Sequence, residues 1–161
     1  MKKMLAAVII ISAIFASSNI YAVDSDLAKM YTKVYETAKE IKPLMKVSKD
    51  ILLLSSLWDS CIITMTQLEA YSSILGVFNM IKEQDLNEAA IDYPEKWLNK
   101  IKTNNELNIE SLKKFSKQAI ESTSEIYIEV LSTYYVALNE AIAQDLNKFR
   151  VIRKAAVKRK K

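Results

Sequence analysis

With no histidine, one cysteine and one glycine among 161 residues, the chain lacks the parts of most catalytic centres: no Ser-His or Cys-His pair, no imidazole-ligated metal, no glycine-rich phosphate cradle. Two prolines and a single glycine also argue against sheets joined by tight turns, so the fold class expected is all-α. The formal net charge of +4 hides an asymmetry, because the last fourteen residues carry eight basic groups and no acid, while Val23 to Asn147 holds 13 basic against 19 acidic groups.

Residues 1–22 have the pattern of an export signal: Lys2 and Lys3, an apolar run from Met4 to Ala16, and a polar stretch closing on Ile20-Tyr21-Ala22. Cleavage is expected before Val23, which puts the folded protein outside the cytoplasm, periplasmic or secreted. The remaining length, roughly 140 residues, suits one hydrophobic core, and nothing in it resembles a linker. Three parts are therefore expected: a signal peptide over 1–22, a helical bundle over 23–147 and a basic amphipathic tail over 148–161. A lone cysteine in an exported chain makes no internal disulfide, so packing has to supply the stability.

The first helix is expected to begin at Asp24 or Ser25, with Leu27, Met30, Tyr31, Val34, Ala38 and Ile41 inward and Pro43 as its stop. The next stretch, Ile51 to Ile81, is the one the bundle should be built around. Its only charged residues are Asp59 and Glu69. Ile51, Leu54, Leu57, Trp58, Cys61, Ile62, Met65, Leu68 and Leu75 fall on one arc at helical spacing. The run from Ile51 to Leu68 approaches the length of a membrane span, but Asp59 at its middle disfavours insertion by roughly 3 kcal/mol, so a buried core helix is expected.

A polar turn over 82–88 should follow, then a short helix opening at Asp92-Tyr93-Pro94-Glu95, burying Trp97, Leu98 and Ile101 and ending at Thr103-Asn104-Asn105. From Asn108, an expected N-cap, neither proline nor glycine interrupts the chain. Leu112, Phe115, Ala119, Ile126, Tyr127, Val130, Tyr134, Leu138 and Ala141 keep to one stripe, which Leu146, Phe149 and Ile152 extend. An unbroken helix of that length is too long for a compact domain of this size. A break is expected near Ser122-Thr123-Ser124-Glu125, where Ser122 and Glu125 match a capping box, or else the final segment protrudes. The architecture expected is an elongated three- to four-helix bundle.

Candidate chemistry is sparse. Glu121-Ser122 resembles the Glu-Ser pair of lytic transglycosylases, yet the glycine-rich segments that line that family's cleft are missing. Glu121, Glu125 and Glu129 recur every fourth residue, the pattern of a solvated helix face; a calcium ridge is the sharper alternative, without a loop motif to support it. No catalytic residue, cofactor or metal is implied. The one feature above background is the basic end: Lys148, Arg150, Arg153, Lys154, Lys158, Arg159, Lys160 and Lys161, with Phe149 and Ile152 on the other side of the wheel, a pattern that suits anionic lipid or an acidic protein surface. Export makes nucleic acid an unexpected partner.

These features point to an exported protein that works by binding an envelope partner or itself, such as a minor pilus component of a type IV secretion system, by analogy of architecture alone. A periplasmic chaperone and a membrane-binding protein acting through its tail are the alternatives.

Overall fold

The computed structural model describes residues 25–81 and 88–159. Four helices account for nearly all of them: α1 (Ser25–Leu44), α2 (Ile51–Met80), α3 (Glu88–Ser116) and α4 (Ser122–Arg159). No strand occurs among the described residues, and the chain forms an all-α helical bundle. The segment 1–22, read from sequence as an export signal, lies outside the described residues, as does the turn expected over 82–88 except for Glu88, which already belongs to α3.

Each helix presents a seam in which buried residues alternate at three and four positions. In α2 the seam is Leu54, Leu57, Cys61, Thr64, Leu68 and Tyr71, and in α4 it is Ile128, Leu131, Tyr135, Leu138, Ile142, Asp145 and Phe149. α3 contributes Ile91, Leu98, Ile101, Asn105 and Leu112, and α1 contributes Leu27, Val34, Ala38 and Ile41. Sustained 3–4 alternation keeps one narrow face of a helix turned to its neighbours, the pattern of antiparallel bundles packed like coiled coils. The four seams meet in one core.

Residue pairing fixes the topology. Asn105 meets Asn139, whereas Arg153 meets Asp92 and Glu95, so α3 and α4 run antiparallel. α2 and α4 are parallel, because Ser60 pairs with Tyr135 and Tyr71 with Asp145 at nearly constant separations of 75 and 74 residues. The chain thus runs up, down, up and down as two hairpins, α1–α2 and α3–α4, with α2 touching all three other helices.

The break in the long C-terminal pattern falls at Lys117–Glu121, one residue before the expected capping box, and its cause lies on the other hairpin. Asp50 stands at the N-cap position of α2 but does not cap its own helix. Its carboxylate turns to the second loop, where Oδ2 accepts from the N–H of Ile120 at 3.0 Å and of Glu121 at 2.9 Å. The Glu121 carboxylate answers, accepting from Ser48 Oγ at 2.5 Å and from the Lys49 N–H at 3.1 Å. Two loops at one end of the bundle are latched by exchanged carboxylates.

Several expectations from sequence are corrected. Pro43 lies inside the last turn of α1 rather than ending it before that turn. α3 begins before Asp92, carries Pro94 in its interior and does not stop at Thr103-Asn104-Asn105. Asn105 is fully buried there and its amide donates to the Asn139 side chain at 2.9 Å, so a residue that usually ends helices instead reaches across the seam, although its own Oδ1 finds no hydrogen-bond partner among the described residues. Asn108 is consequently mid-helix and not a cap. Trp97 is 40% exposed, beside Tyr93 with ring centroids 6.3 Å apart and under the Lys100 ammonium at 4.9 Å, so it is no core plug. Ile51, Ile62 and Ile126, placed inward by periodicity, are exposed. For Ile126 the reason is phase: the corner at 117–121 resets the wheel, and the buried stripe of α4 becomes Ile128, Leu131, Tyr135 and Ile142. The end of α4 protrudes less than expected, since the start of α3 still meets Arg153.

Candidate interaction surfaces

Apart from the latch, the chemistry-bearing groups of the interior hold the bundle together. Asp145 occupies an apolar seam position, where its Oδ2 accepts from the Tyr71 hydroxyl at 2.5 Å and its Oδ1 from Lys148 Nζ at 2.7 Å. A carboxylate so placed is tolerated because both oxygens are engaged. The Tyr135 hydroxyl, pushed up to about 12 by burial, donates to the Ser60 carbonyl oxygen at 3.1 Å. Tyr31 donates to Glu69 Oε1 at 3.0 Å, and burial together with that carboxylate also raises its hydroxyl to about 12. The Cys61 thiol is wholly buried on the α2 seam, and desolvation raises it to about 12, far from a reactive thiolate.

Glu121, singled out for its Glu-Ser pair, is committed to the latch described above. Glu125 and Glu129 are exposed, and no group of His, Cys, Asp and Glu able to hold a metal ion occurs among the described residues.

The basic residues near the C-terminus do not act as one group. Lys148 pairs with Asp145, and Arg153 bridges Asp92 and Glu95 of α3, so both help to close the bundle. Arg150 and Lys154 are exposed one turn apart on α4, flanking the seam that buries Leu146 and Phe149. Lys158 and Arg159 fall in the last turn of α4, and Lys160 and Lys161 lie outside the described residues.

A surface that composition alone did not mark lies along the outside of α2. Leu52, Ile62, Ile63, Thr66, Ala70 and Val77 are exposed there, and Asp59 is the only charge among the exposed residues of the helix. α2 is long and apolar enough to cross a membrane by length and composition, and 44% of its most apolar window is buried by the other helices. Surface helices ordinarily set Lys and Glu on the outward side. The signal available in the sequence was the missing charge on the arc of Ser55, Ser56, Asp59, Ser60 and Thr66.

Comparison with protein-family models, with curated proteins and with solved structures finds no match to this chain.

Proposed function

We propose that the protein is an exported helical binding protein of the bacterial envelope that acts as an assembly subunit, for which a minor pilus component of a type IV secretion system is the architectural analogue. The observation that carries this reading is the outward side of α2, exposed from Leu52 to Met80 with a single acid and no base. That span covers about 42 Å at ~1.5 Å per residue. An uncharged helical strip of that length, beside neighbours rich in Lys and Glu, suits helix-against-helix association with an envelope partner or a second copy. Export rests on the N-terminal pattern of Lys2, Lys3 and the apolar run that follows.

The test is association measured by sedimentation and by capture from envelope extracts, with Ile63→Lys and Ala70→Lys compared with the parent protein. Both positions are exposed, so the variants should melt within a couple of degrees of the parent while association falls at least tenfold. A parent that stays monomeric and captures no envelope partner, or variants that associate as well as the parent, would count against the reading.

A second reading, membrane attachment through the C-terminal basic segment, is favoured by the exposure of Arg150 and Lys154 on one side of α4.

A further inference from the structure

The end of the bundle that carries the latch is remote from the exposed basic residues near the C-terminus, since Arg150 lies 28 residues beyond Ser122 on α4, about 42 Å at ~1.5 Å per residue. This loop end joins two features that single elements do not show. Val47, Leu52 and Ile120 are 80%, 82% and 74% exposed, among the most exposed large apolar side chains described, and Ile51 beside them is half exposed. Around them stand Lys42, Lys46, Lys49, Lys113, Lys114 and Lys117, all exposed.

The acids of the same two segments are Asp50 and Glu121. Both carboxylates are spent on the opposite loop: Asp50 on the Ile120 and Glu121 N–H groups, Glu121 on Ser48 and Lys49. The latch therefore does more than turn a corner. It draws the negative charge into the loop contacts and leaves an apolar tip within a lysine ring. Glu125 lies in the first turn of α4, and Glu40 and Glu110 stand further back along α1 and α3.

Lysines in the last turns of α1 and α3 are expected on dipole grounds alone. Lys46, Lys49 and Lys117 are not, because they lie in the loops, where Val47 and Ile120 also sit. Isolated exposed aliphatic residues need no explanation, but four gathered on the latched loops and the first turn of α2 inside a cationic ring form a patch. A shallow groove of about 290 Å³ lined by Leu52, Phe115, Lys49 and Gln118 continues the apolar ground between the hairpins.

We propose that the loop end docks on an anionic lipid bilayer, Val47, Leu52 and Ile120 entering the interface while the surrounding lysines meet the head groups. The charge complementarity is one-sided, and lysine side chains can lay their apolar stems along the interface while their ammonium groups stay wet. This surface shares Leu52 with the end of the α2 strip, while Val47, Ile120 and the loop lysines lie off that strip, and it is at the opposite end from Arg150 and Lys154.

The experiment is co-sedimentation of the chain from Val23 onward with phosphatidylcholine vesicles and with vesicles containing about one third phosphatidylglycerol, at low and high salt. Parent protein should prefer the anionic vesicles at least tenfold, with the preference lost at high salt. Lys46→Gln/Lys49→Gln/Lys117→Gln should weaken that binding by up to about a hundredfold, at about fivefold per lysine near an anionic surface. Leu52→Ser/Ile120→Ser should weaken it at least tenfold while the melting temperature stays within a couple of degrees of the parent. Arg150→Gln/Lys154→Gln should bind as the parent does. Equal binding to both vesicle types, tip variants indistinguishable from the parent, or loss seen only in the Arg150 and Lys154 variant would overturn the proposal. Since Ile63→Lys should leave vesicle binding intact, failure of this surface and failure of the assembly reading are separable.

Discussion

Asp50 and Glu121 each hold the loop that the other belongs to: the Asp50 carboxylate accepts from the Glu121 N–H at 2.9 Å while the Glu121 carboxylate accepts from the Lys49 N–H at 3.1 Å, next to Asp50 in the chain. The Glu121 backbone N–H, with the Ile120 N–H beside it, holds the Asp50 carboxyl below the usual carboxylate range against the opposing effect of desolvation. A carboxyl depressed on folding contributes stability that is fully present above its unfolded pKa, about 3.9, and is lost as pH falls through the lower folded value. Asp50→Asn should therefore melt several degrees below the parent at pH 7 and by the same margin at pH 5. Below about pH 4 the two melting curves should converge, because protonated Asp and Asn are nearly isosteric. A deficit that persists unchanged at pH 2 would assign the effect to shape instead of charge.

Asp145 should be sensitive to loss of its buried donor. Tyr71→Phe removes the hydroxyl that meets Oδ2 at 2.5 Å and leaves Lys148 on Oδ1. The expected cost in chemical denaturation is about 1–3 kcal/mol, the range for an unsatisfied buried group. In a double-mutant cycle with Asp145→Leu, the double variant should be more stable than the sum of the two single losses implies. Strict additivity would mean that the pair is not coupled.

Asn105 and Asn139 form a polar step in the α3–α4 seam. Replacing both by Leu removes donor and acceptor together, so the double variant should melt above the parent. The expected loss is in register, because one buried Asn pair penalises slipped or alternative pairings that Leu tolerates. Sedimentation should then show a broader distribution of species. A lower melting temperature for the double variant would show that the amide contact is a net stabiliser.

Cys61 should be protected as long as the bundle is intact. With the thiol buried and raised to about 12, alkylation by iodoacetamide at pH 8 should be negligible in buffer and should follow global unfolding across a urea titration. Labelling well before the unfolding transition would reveal a local opening of α2. A dimer on a non-reducing gel would conflict with the seam position.

Much of the fold can be read from spacing. The apolar stripe from Leu27 to Ile41 and the chargeless stretch after Ile51 specify helices of the right kind and nearly the right bounds, because local periodicity and burial agree there. Errors gather where a distant partner reverses a local preference. Asn105 reads as a terminator until Asn139 accepts from its amide, and Ile126 reads as core until the corner before it shifts the phase. The surfaces were less legible. The basic run at 148–161 is conspicuous in sequence, yet the fold uses Lys148 and Arg153 for its own closure. The apolar tip with its lysines was invisible, because its members come from segments about seventy residues apart and exist as a group only once the loops are latched.

The corner at 117–121 contains neither glycine nor proline, and its local signal is the Ser122–Glu125 capping pattern that follows it. What fastens it is a carboxylate delivered by the first hairpin. The hydrogen bonds that fasten it come from the start of α2, so the corner has its full set of partners only when both hairpins are present. A fragment beginning at residue 88 keeps the broad α3–α4 contact but loses that fastening, and the amide protons of the corner should exchange far faster there than in the full chain.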